Sequence, residues 1–307
     1  MNRISIVAFL LISSIHSVAQ TFYIKGRVTD GSNNQPLKGA SVYINNSTKG
    51  TIADETGDFS IGPLEPGKYE VVASFVGFAP VMYAAEIKTG SIKVIFELDR
   101  KEKPLREVLI LTSETRKRYL ELFKKNVLGY TSGAERCRIK NIDEVMFVSG
   151  DTKDEIQAYS DKELIIENPD LGYTIRFELL DFYYNRANTA TYFYGYTRYE
   201  DWSDRDGKTK GKWQRKRRQA YEGSTVHFFR SLIQKEMKVQ GFDALQIFKA
   251  PPAKVDTVNN GTVRVSTSAS RMQMAQPITE DKMLSVYSDS GYKVYELHLR
   301  DGWRIGF

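Results

Sequence analysis

Residues 21–99 alternate between apolar and polar positions in short runs, the pattern of β-strands that bury one face. The runs at 24–28, 69–75 and 92–98 are the clearest, and Ala40, Val42 and Ile44 share one face of another strand. Turn residues separate the runs, and Pro66-Gly67 fits the two central positions of a type II turn. Gly57, before another alternating run, suits a left-handed backbone angle. Helical periodicity is absent, so the stretch predicts a small antiparallel sandwich.

Five spaced motifs occur in order within this stretch. They are Gly26-Arg27-Val28-x-Asp30, Pro36-Leu37-x-Gly39-Ala40-x-Val42, Thr51-x-x-Asp54-Glu55-x-Gly57-x-Phe59-Ser60-Ile61, Gly67-x-Tyr69 and Phe75-Val76-Gly77-Phe78. Together they resemble the carboxypeptidase-like regulatory domain. That resemblance implies a transthyretin-like Greek-key sandwich that acts as a non-catalytic spacer or docking module in the Gram-negative bacterial envelope. It brings no catalytic residue with it.

Two later segments show helical periodicity. In 115–128 apolar residues recur every four positions, and Gly129 follows at the expected stop. In the second segment Ser224 is a suitable N-cap for a helix that ends near Lys238. Its apolar side chains are expected on one face, at Val226, Phe229 and Ile233.

Strand patterns surround the two predicted helices without a βαβ rhythm. They cover 145–149, 156–159, 164–167, 173–184, 191–199, 245–248, 263–267, 283–287 and 292–299. The predicted fold class is therefore an all-β transthyretin-like Greek-key sandwich followed by an α+β domain. The predicted organisation is a signal peptide over 1–20, the sandwich over 21–99, a linker or last strand over 100–114, and the α+β domain over 115–307.

Parts of this C-terminal domain, at 123–138, 164–173 and 215–232, resemble the region that follows the same sandwich in uncharacterised secreted bacterial proteins. That resemblance implies an envelope location and no known activity. The last residues, 303–307, are expected to lie within a strand pair, and similar proteins continue beyond that point.

The first twenty residues have the three parts of a secretory signal peptide. Arg3 gives a positive start, residues 4–15 form an apolar run too short to span a bilayer, and Ser17-Val18-Ala19 has small residues where a signal peptidase reads. The alternative is an N-terminal core helix. We expect cleavage after Ala19 or one residue later, no lipid anchor, and no transmembrane helix in the mature chain. The protein is expected in the periplasm, at the outer membrane or on the cell surface.

Composition is that of a globular protein, since 41% of the residues are hydrophobic and 27% are charged, which excludes whole-chain disorder. The net charge is +6, but residues 208–218 hold seven basic residues and no acidic one. Removing those seven charges and that of Arg3 leaves −2. The basic character is therefore local, and we expect no nucleic-acid partner.

Catalytic motifs are missing from the sequence. A zinc carboxypeptidase needs a His-x-x-Glu pair and a distant histidine, whereas Arg230 stands three residues after His227 and Asp301 three residues after His298. His227 is expected on a helix flank, and the single Cys137 as a buried apolar residue. We predict no catalytic residue, no metal ligand and no cofactor. An unrecognised hydrolase, a peptidase or glycosidase with its site in the second domain, stays open as the alternative.

Two features predict a binding surface for an envelope protein or a polysaccharide. Aromatic residues on one strand face can form a flat apolar platform with polar edges, and the basic run can meet acidic lipid, polysaccharide or protein. The alternatives are a packed core for the former, and a solvated helix start or mobile loop for the latter. The candidate residues are Tyr192, Tyr194, Tyr196, Trp202, Arg215, Arg217 and Arg218.

Overall fold

The computed structural model describes residues 21–101, 109, 111–150, 152–204, 210–248, 254–258, 262–266, 274–289, 292–298 and 303–306. The predicted signal peptide and most of the predicted linker lie outside these residues. By its internal contacts the chain divides into two compact units, residues 1–213 and residues 214–307.

Seven strands form the predicted sandwich. They are β1 (Phe22–Asp30), β2 (Ser41–Ile44), β3 (Gly50–Ile52), β4 (Asp58–Leu64), β5 (Gly67–Ser74), β6 (Val81–Ile87) and β7 (Ile92–Leu98). One sheet has the order β4-β1-β7 and the other β3-β2-β5-β6. Every pair is antiparallel except β1 with β7, because the chain changes sheets after β6 and enters beside β1 in the same direction.

The two sheets enclose one hydrophobic core, and Ala40, Val42 and Ile44 are buried in it, as their alternation predicts. Gly57 has a φ of 77°, which confirms the expected left-handed turn. The predicted type II turn at Pro66-Gly67 is wrong. Gly67 is already paired with Ile87 as the first residue of β5 and lacks the positive φ that such a turn needs.

A six-stranded sheet follows in the same compact unit. Its strands are β8 (Arg138–Ile139), β9 (Met146–Ser149), β10 (Glu155–Tyr159), β11 (Leu164–Asn168), β12 (Tyr173–Asn185) and β13 (Thr191–Asp201). The long strand β12 pairs with β13 along its length, and with β11 and β10 at its two ends. One extra residue at Leu180 bulges β12, while β13 continues without interruption.

Helix α1 (Ser113–Leu128) packs on one face of this sheet, and the short helix α2 (Ser132–Arg136) follows it. Thr112 caps α1 by accepting a hydrogen bond from the Thr115 N–H, and Gly129 ends it with a φ of 90°, as predicted. Phe123 is fully buried, and its ring centroid lies 4.8 Å from that of Phe182. The apolar side of the predicted helix thus supplies the core of this layer.

The sandwich contacts the opposite face of the six-stranded sheet. Tyr43 and Val72, which point away from the sandwich core, form a buried cluster with Tyr196 of β13. The loop after β2 also pairs with β13, because the Asn46 N–H donates to the Thr197 carbonyl at 2.8 Å and the Tyr199 N–H donates to the Ser47 carbonyl at 2.9 Å. Sandwich and sheet therefore belong to one compact unit.

The second unit combines helices with short β-pairs. Its helices are α3 (Lys210–Tyr221), which starts four residues before the unit boundary, α4 (Thr225–Gln234) and α5 (Glu280–Met283). Its strands are β14 (Asp243–Phe248), β15 (Lys254–Val258), β16 (Thr262–Ser266), β17 (Met274–Pro277), β18 (Leu284–Asp289), β19 (Tyr292–Leu297) and β20 (Trp303–Gly306). Strand β14 lies between β17 and β20, and β15–β16 and β18–β19 are separate antiparallel pairs. Mixed helices and strands confirm the predicted α+β class.

Helix α4 starts at the predicted N-cap, since the Ser224 hydroxyl accepts a hydrogen bond from the His227 N–H. It ends at Gln234, earlier than predicted, because Lys235 adopts a left-handed conformation with a φ of 59°. The predicted apolar face is exposed, with Val226 at 55%, Phe229 at 37% and Ile233 at 42%. The buried face is a different set: His227, Phe228, Ser231 and Leu232.

None of the helices in the described ranges combines the length and the apolar character that crossing a bilayer requires.

Candidate functional site

A cavity of about 320 Å³ opens between the sandwich and the six-stranded sheet, and we call it the cleft. Its sandwich wall presents the apolar side chains of Ile52, Phe75 and Val76 beside Gly39, Ser41 and Ser74. Its sheet wall is charged, and carries Glu163, Arg176, Glu178 and Arg198. The cleft thus has the size of a small-ligand site, with one side that presents apolar side chains and one side rich in charged, hydrogen-bonding groups.

Four charged side chains, two arginines and two glutamates, are linked on this face of the sheet. Arg176 and Arg198 stand directly opposite each other on β12 and β13, an arrangement that would be repulsive without counter-charges. Glu163 lies 3.2 Å from Arg198 and 3.8 Å from Arg176, and Glu200 hydrogen-bonds Arg176 and lies 3.7 Å from Arg198. Each glutamate therefore interacts with both arginines, and this network holds the two guanidinium groups in place.

Glu178 is the buried carboxyl group of the cleft. The Ser74 hydroxyl donates a hydrogen bond to it at 2.9 Å, and the Lys101 ammonium lies 3.5 Å away. Burial raises the pKa of Glu178 above its usual range, although Lys101 and Ser74 oppose that effect. The pairing of Leu164 with Phe177 places Glu163 next to Glu178 along the two strands, and the charge of Glu163 raises the pKa of Glu178 further.

Tyr43 lies behind this wall, buried between the sandwich and the sheet. The Arg198 guanidinium lies 5.8 Å from the centroid of its ring, a cation–π contact. Burial raises the pKa of the Tyr43 hydroxyl, which has no hydrogen-bond partner within the part of the chain that the structure describes. Tyr43 therefore supports Arg198 through its ring.

The predicted aromatic row divides into an exposed and a buried part. Tyr192 and Tyr194 are 56% and 44% exposed, whereas Tyr196 is only 8% exposed. The rings of Tyr194 and Tyr196 lie 5.7 Å apart, and burial raises the pKa of Tyr196 to about 12. The platform interpretation thus keeps Tyr192 and Tyr194, while Tyr196 matches the alternative of a packed core.

Trp202 does not join this row. It follows the far end of β13, about 26 Å from Tyr194 at the usual rise per strand residue. Its Nε1–H donates to the Thr174 hydroxyl at 2.8 Å, and its ring lies 5.9 Å from that of Trp213. These contacts make Trp202 a packing residue at the end of the sheet.

The predicted basic residues belong to helix α3 of the second unit. Arg215 and Arg218 are exposed and Arg217 is half-buried. From Lys210 onward the predicted basic run is therefore helical, and its first two residues, 208 and 209, lie outside the described residues.

His227 and Cys137 do not have the surroundings of catalytic groups. His227 lies on the buried side of α4, not on a flank, because the Gly223 N–H donates to Nδ1 at 3.1 Å and Nε2 lies 3.2 Å from the Gln240 side-chain oxygen. Cys137 is buried as predicted, and burial raises the pKa of its thiol. Across the described ranges, no three His, Cys, Asp or Glu side chains come together as a metal site would require.

The charged residues of the cleft were missed at the sequence level. The sequence holds one indication of them, because an arginine is followed two residues later by a glutamate on both strands. These pairs are Arg176 and Glu178 on β12, and Arg198 and Glu200 on β13. Charged side chains two residues apart on adjacent strands lie on one face when the register brings them opposite. That register depends on the hairpin and on the bulge at Leu180, which periodicity alone does not give.

Residues 24–110 match the family model described as the CarboxypepD_reg-like domain, which confirms the resemblance found in the sequence of the sandwich. No curated protein matches the chain.

Several solved structures are similar in part. A type II cohesin–X-dockerin complex mutant from Acetivibrio cellulolyticus is 18% identical, with a TM-score of 0.21, over 24% of this chain and 52% of the other. A Bacteroides uniformis protein provisionally described as carbohydrate-binding is 12% identical, with a TM-score of 0.22, over 50% and 56% of the two chains. A Bacteroides fragilis protein provisionally described as membrane-associated, of unknown function, is 15% identical, with a TM-score of 0.22, over 52% and 65%. The chain thus spans between about half and two thirds of these structures, and TM-scores this low carry no argument about function.

Proposed function

We propose that the chain, whose residues 24–110 match the CarboxypepD_reg-like domain, is a non-enzymatic, exported envelope protein whose cleft binds a carbohydrate. The observation that carries the proposal is the composition of the two cleft walls. Sugars present hydroxyl groups that both donate and accept hydrogen bonds, and a face of C–H groups that packs on apolar side chains. Fixed arginines and glutamates opposite Ile52, Phe75 and Val76 match those two properties.

The sandwich acts as an adaptor in this proposal. It supplies the apolar wall of the cleft and fixes the sheet through the hydrogen bonds of its Asn46–Ser47 loop. Export rests on the predicted signal peptide, and the expected site is the periplasm, the outer membrane or the cell surface. Sequencing the N-terminus of the protein from an envelope fraction tests this part, since it should begin at Gln20 or Thr21.

A glycan array with the purified chain tests the cleft. Ile52→Asp and Val76→Asp each place a carboxylate on the apolar wall, where both side chains are exposed enough for the fold to tolerate the change. We expect wild-type binding to a defined glycan class and a loss of at least tenfold in affinity in either variant.

The matched control is Ile95→Asp. Ile95 is an exposed isoleucine on β7 that is not part of the cleft lining, so its variant should bind as wild type does. Absence of binding to every glycan, or an equal loss in Ile95→Asp, would refute the cleft as a carbohydrate site.

A hydrolase is the second candidate, because two carboxyl groups in different environments line the cleft. Burial favours the protonated form of Glu178, as a general acid requires, while Glu163 accepts two hydrogen bonds from Arg198 and could activate water as a base. Peptide and oligosaccharide mixtures incubated with the protein test this. Cleavage that both Glu178→Gln and Glu163→Gln abolish would favour the hydrolase, and an intact mixture would exclude it.

A further inference from the structure

All the charged residues of helix α3 are basic. Between Lys210 and Tyr221 it has six basic residues and no acidic one. Lys212, Arg215 and Arg218 are exposed and follow each other every three residues, a spacing that keeps them on one side of a helix. That side therefore offers several cations to a negatively charged partner.

Helix α4 carries an exposed apolar stripe directly after it. Val226, Phe229 and Ile233 follow the spacing of one helix face, and Arg230 lies between them in the sequence, exposed as well. The other side of α4 is buried against the core of the second unit, where Phe228 and Leu232 pack with Phe242. Helix α4 thus has apolar residues on two sides, and only one of these sides packs against the core of the second unit.

The end of α3 and the stripe of α4 lie close together. Three residues separate the helices, and the Tyr221 ring lies 4.8 Å from the ring of His227. The Arg230 guanidinium lies 5.5 Å from the centroid of Tyr221. Arg230, an exposed residue of α4, therefore contacts the last turn of α3, so that the C-terminal end of the basic helix adjoins the side of α4 that carries the stripe.

We propose that α3 and α4 form a docking surface for an anionic phospholipid bilayer. Val226, Phe229 and Ile233 enter the boundary between headgroups and acyl chains, as on interfacial amphipathic helices. Lys212, Arg215, Arg218 and Arg230 lie against the lipid phosphates. A nucleic acid or a soluble polyanion would use the cations and leave the three apolar side chains in water, so the combination of features favours a lipid surface.

Vesicle co-sedimentation tests the proposal with the chain from residue 20 onward, which keeps both compact units and removes the apolar leader. The probes are vesicles of phosphatidylglycerol with phosphatidylcholine, and vesicles of phosphatidylcholine alone. The wild type should sediment with the former at low salt and remain in solution with the latter. The triple variant Lys212→Gln, Arg215→Gln, Arg218→Gln should bind about a hundredfold more weakly, at about fivefold for each cation near an anionic surface.

A second triple variant separates lipid from other polyanions. Val226→Gln, Phe229→Gln and Ile233→Gln change exposed positions, so circular dichroism should show an unchanged fold, and vesicle binding should fall about tenfold. The matched charge control is Lys117→Gln, Arg118→Gln, Lys125→Gln on helix α1, where the cations stand among the acidic residues Glu114 and Glu121. It removes the same net charge and should bind within twofold of wild type.

Three results would overturn the proposal. They are no sedimentation of the wild type with anionic vesicles, an equal loss in the α1 control, and full binding by the apolar variant together with displacement of the wild type by soluble polyphosphate. The first excludes a lipid surface, the second shows a general charge effect, and the third identifies a polyanion site.

Discussion

Glu178 shows how one buried carboxyl group couples stability to pH. The fold raises its pKa, mainly through burial, so that the folded state retains the proton at pH values where an unfolded glutamate has lost it. Below the ordinary glutamate pKa, near 4.3, both states are protonated. As the pH rises from there through the folded pKa, the unfolded state ionises first, and stability is lost over that window.

The variant Glu178→Gln tests this coupling because glutamine keeps the shape and cannot ionise. Relative to wild type, it should gain stability as the pH rises above about 4.3, and the gain should level off once wild-type Glu178 is ionised in the folded state. Urea unfolding of both proteins from pH 4 to 8 measures the difference. Parallel stability curves over the whole range would contradict the assignment.

The control is Glu178→Ala, which removes the acceptor and leaves the Ser74 hydroxyl and the Lys101 ammonium without this partner. It should cost about 2 kcal/mol at neutral pH, because partly buried polar groups lose their hydrogen-bonding partner. Glutamine keeps an acceptor oxygen, so Glu178→Gln should be more stable than Glu178→Ala at the same pH.

At the scale of elements, the turn between β11 and β12 depends on Gly172. Its φ is 66°, and a Cβ atom there would lie 2.2 Å from the Trp213 ring, whose Nε1–H donates to the Pro169 carbonyl. Gly172→Ala should therefore cost about 3 kcal/mol, from backbone strain and from displacement of the indole. A shift in tryptophan fluorescence and a lower urea midpoint would report both effects.

The matched control is Gly77→Ala, since Gly77 has a similar φ of 85° and no atom within 4 Å of the added methyl group. It carries the backbone strain alone and should cost about 1 to 2 kcal/mol. Equal losses in the two variants would show that the Trp213 contact contributes nothing.

A helix or strand could be predicted from the sequence where one of its faces packs on one neighbouring layer. This holds for α1, which buries Phe123, and for the strand β2 with the residue before it, which bury Ala40, Val42 and Ile44. Their hydrophobic periodicity therefore predicted the correct type of element. This does not hold for helix α4, because its apolar residues lie on two sides and periodicity cannot tell which side the core of the second unit covers. The cleft could not be predicted from periodicity either. Its charged wall depends on the pairing register of β12 and β13, and its position depends on which sheet covers Tyr43 and Val72.

At the scale of the whole molecule, the predicted boundary near residue 100 lies inside the first compact unit, where the sandwich and the six-stranded sheet share buried surface. Tyr43 and Val72 of the sandwich pack with Tyr196 of the sheet, and the Ser74 hydroxyl of the sandwich donates a hydrogen bond to Glu178 of the sheet. Groups buried at such a junction would be exposed if one part unfolded alone, at the cost of their apolar contacts and of unpaired polar atoms. We therefore expect the sandwich and the six-stranded sheet to unfold in one transition.

The variant Phe96→Ala tests this expectation in a background where Trp303 is replaced by phenylalanine. Phe96 is buried in the sandwich core, whereas the remaining tryptophans, Trp202 and Trp213, lie outside the sandwich. Loss of the ring should cost about 3 to 4 kcal/mol and lower the tryptophan-monitored urea midpoint, as Phe123→Ala in the sheet core should do. If the two parts unfold separately, Phe96→Ala leaves that midpoint unchanged while Phe123→Ala lowers it, and the sandwich is then an independent module joined by a linker.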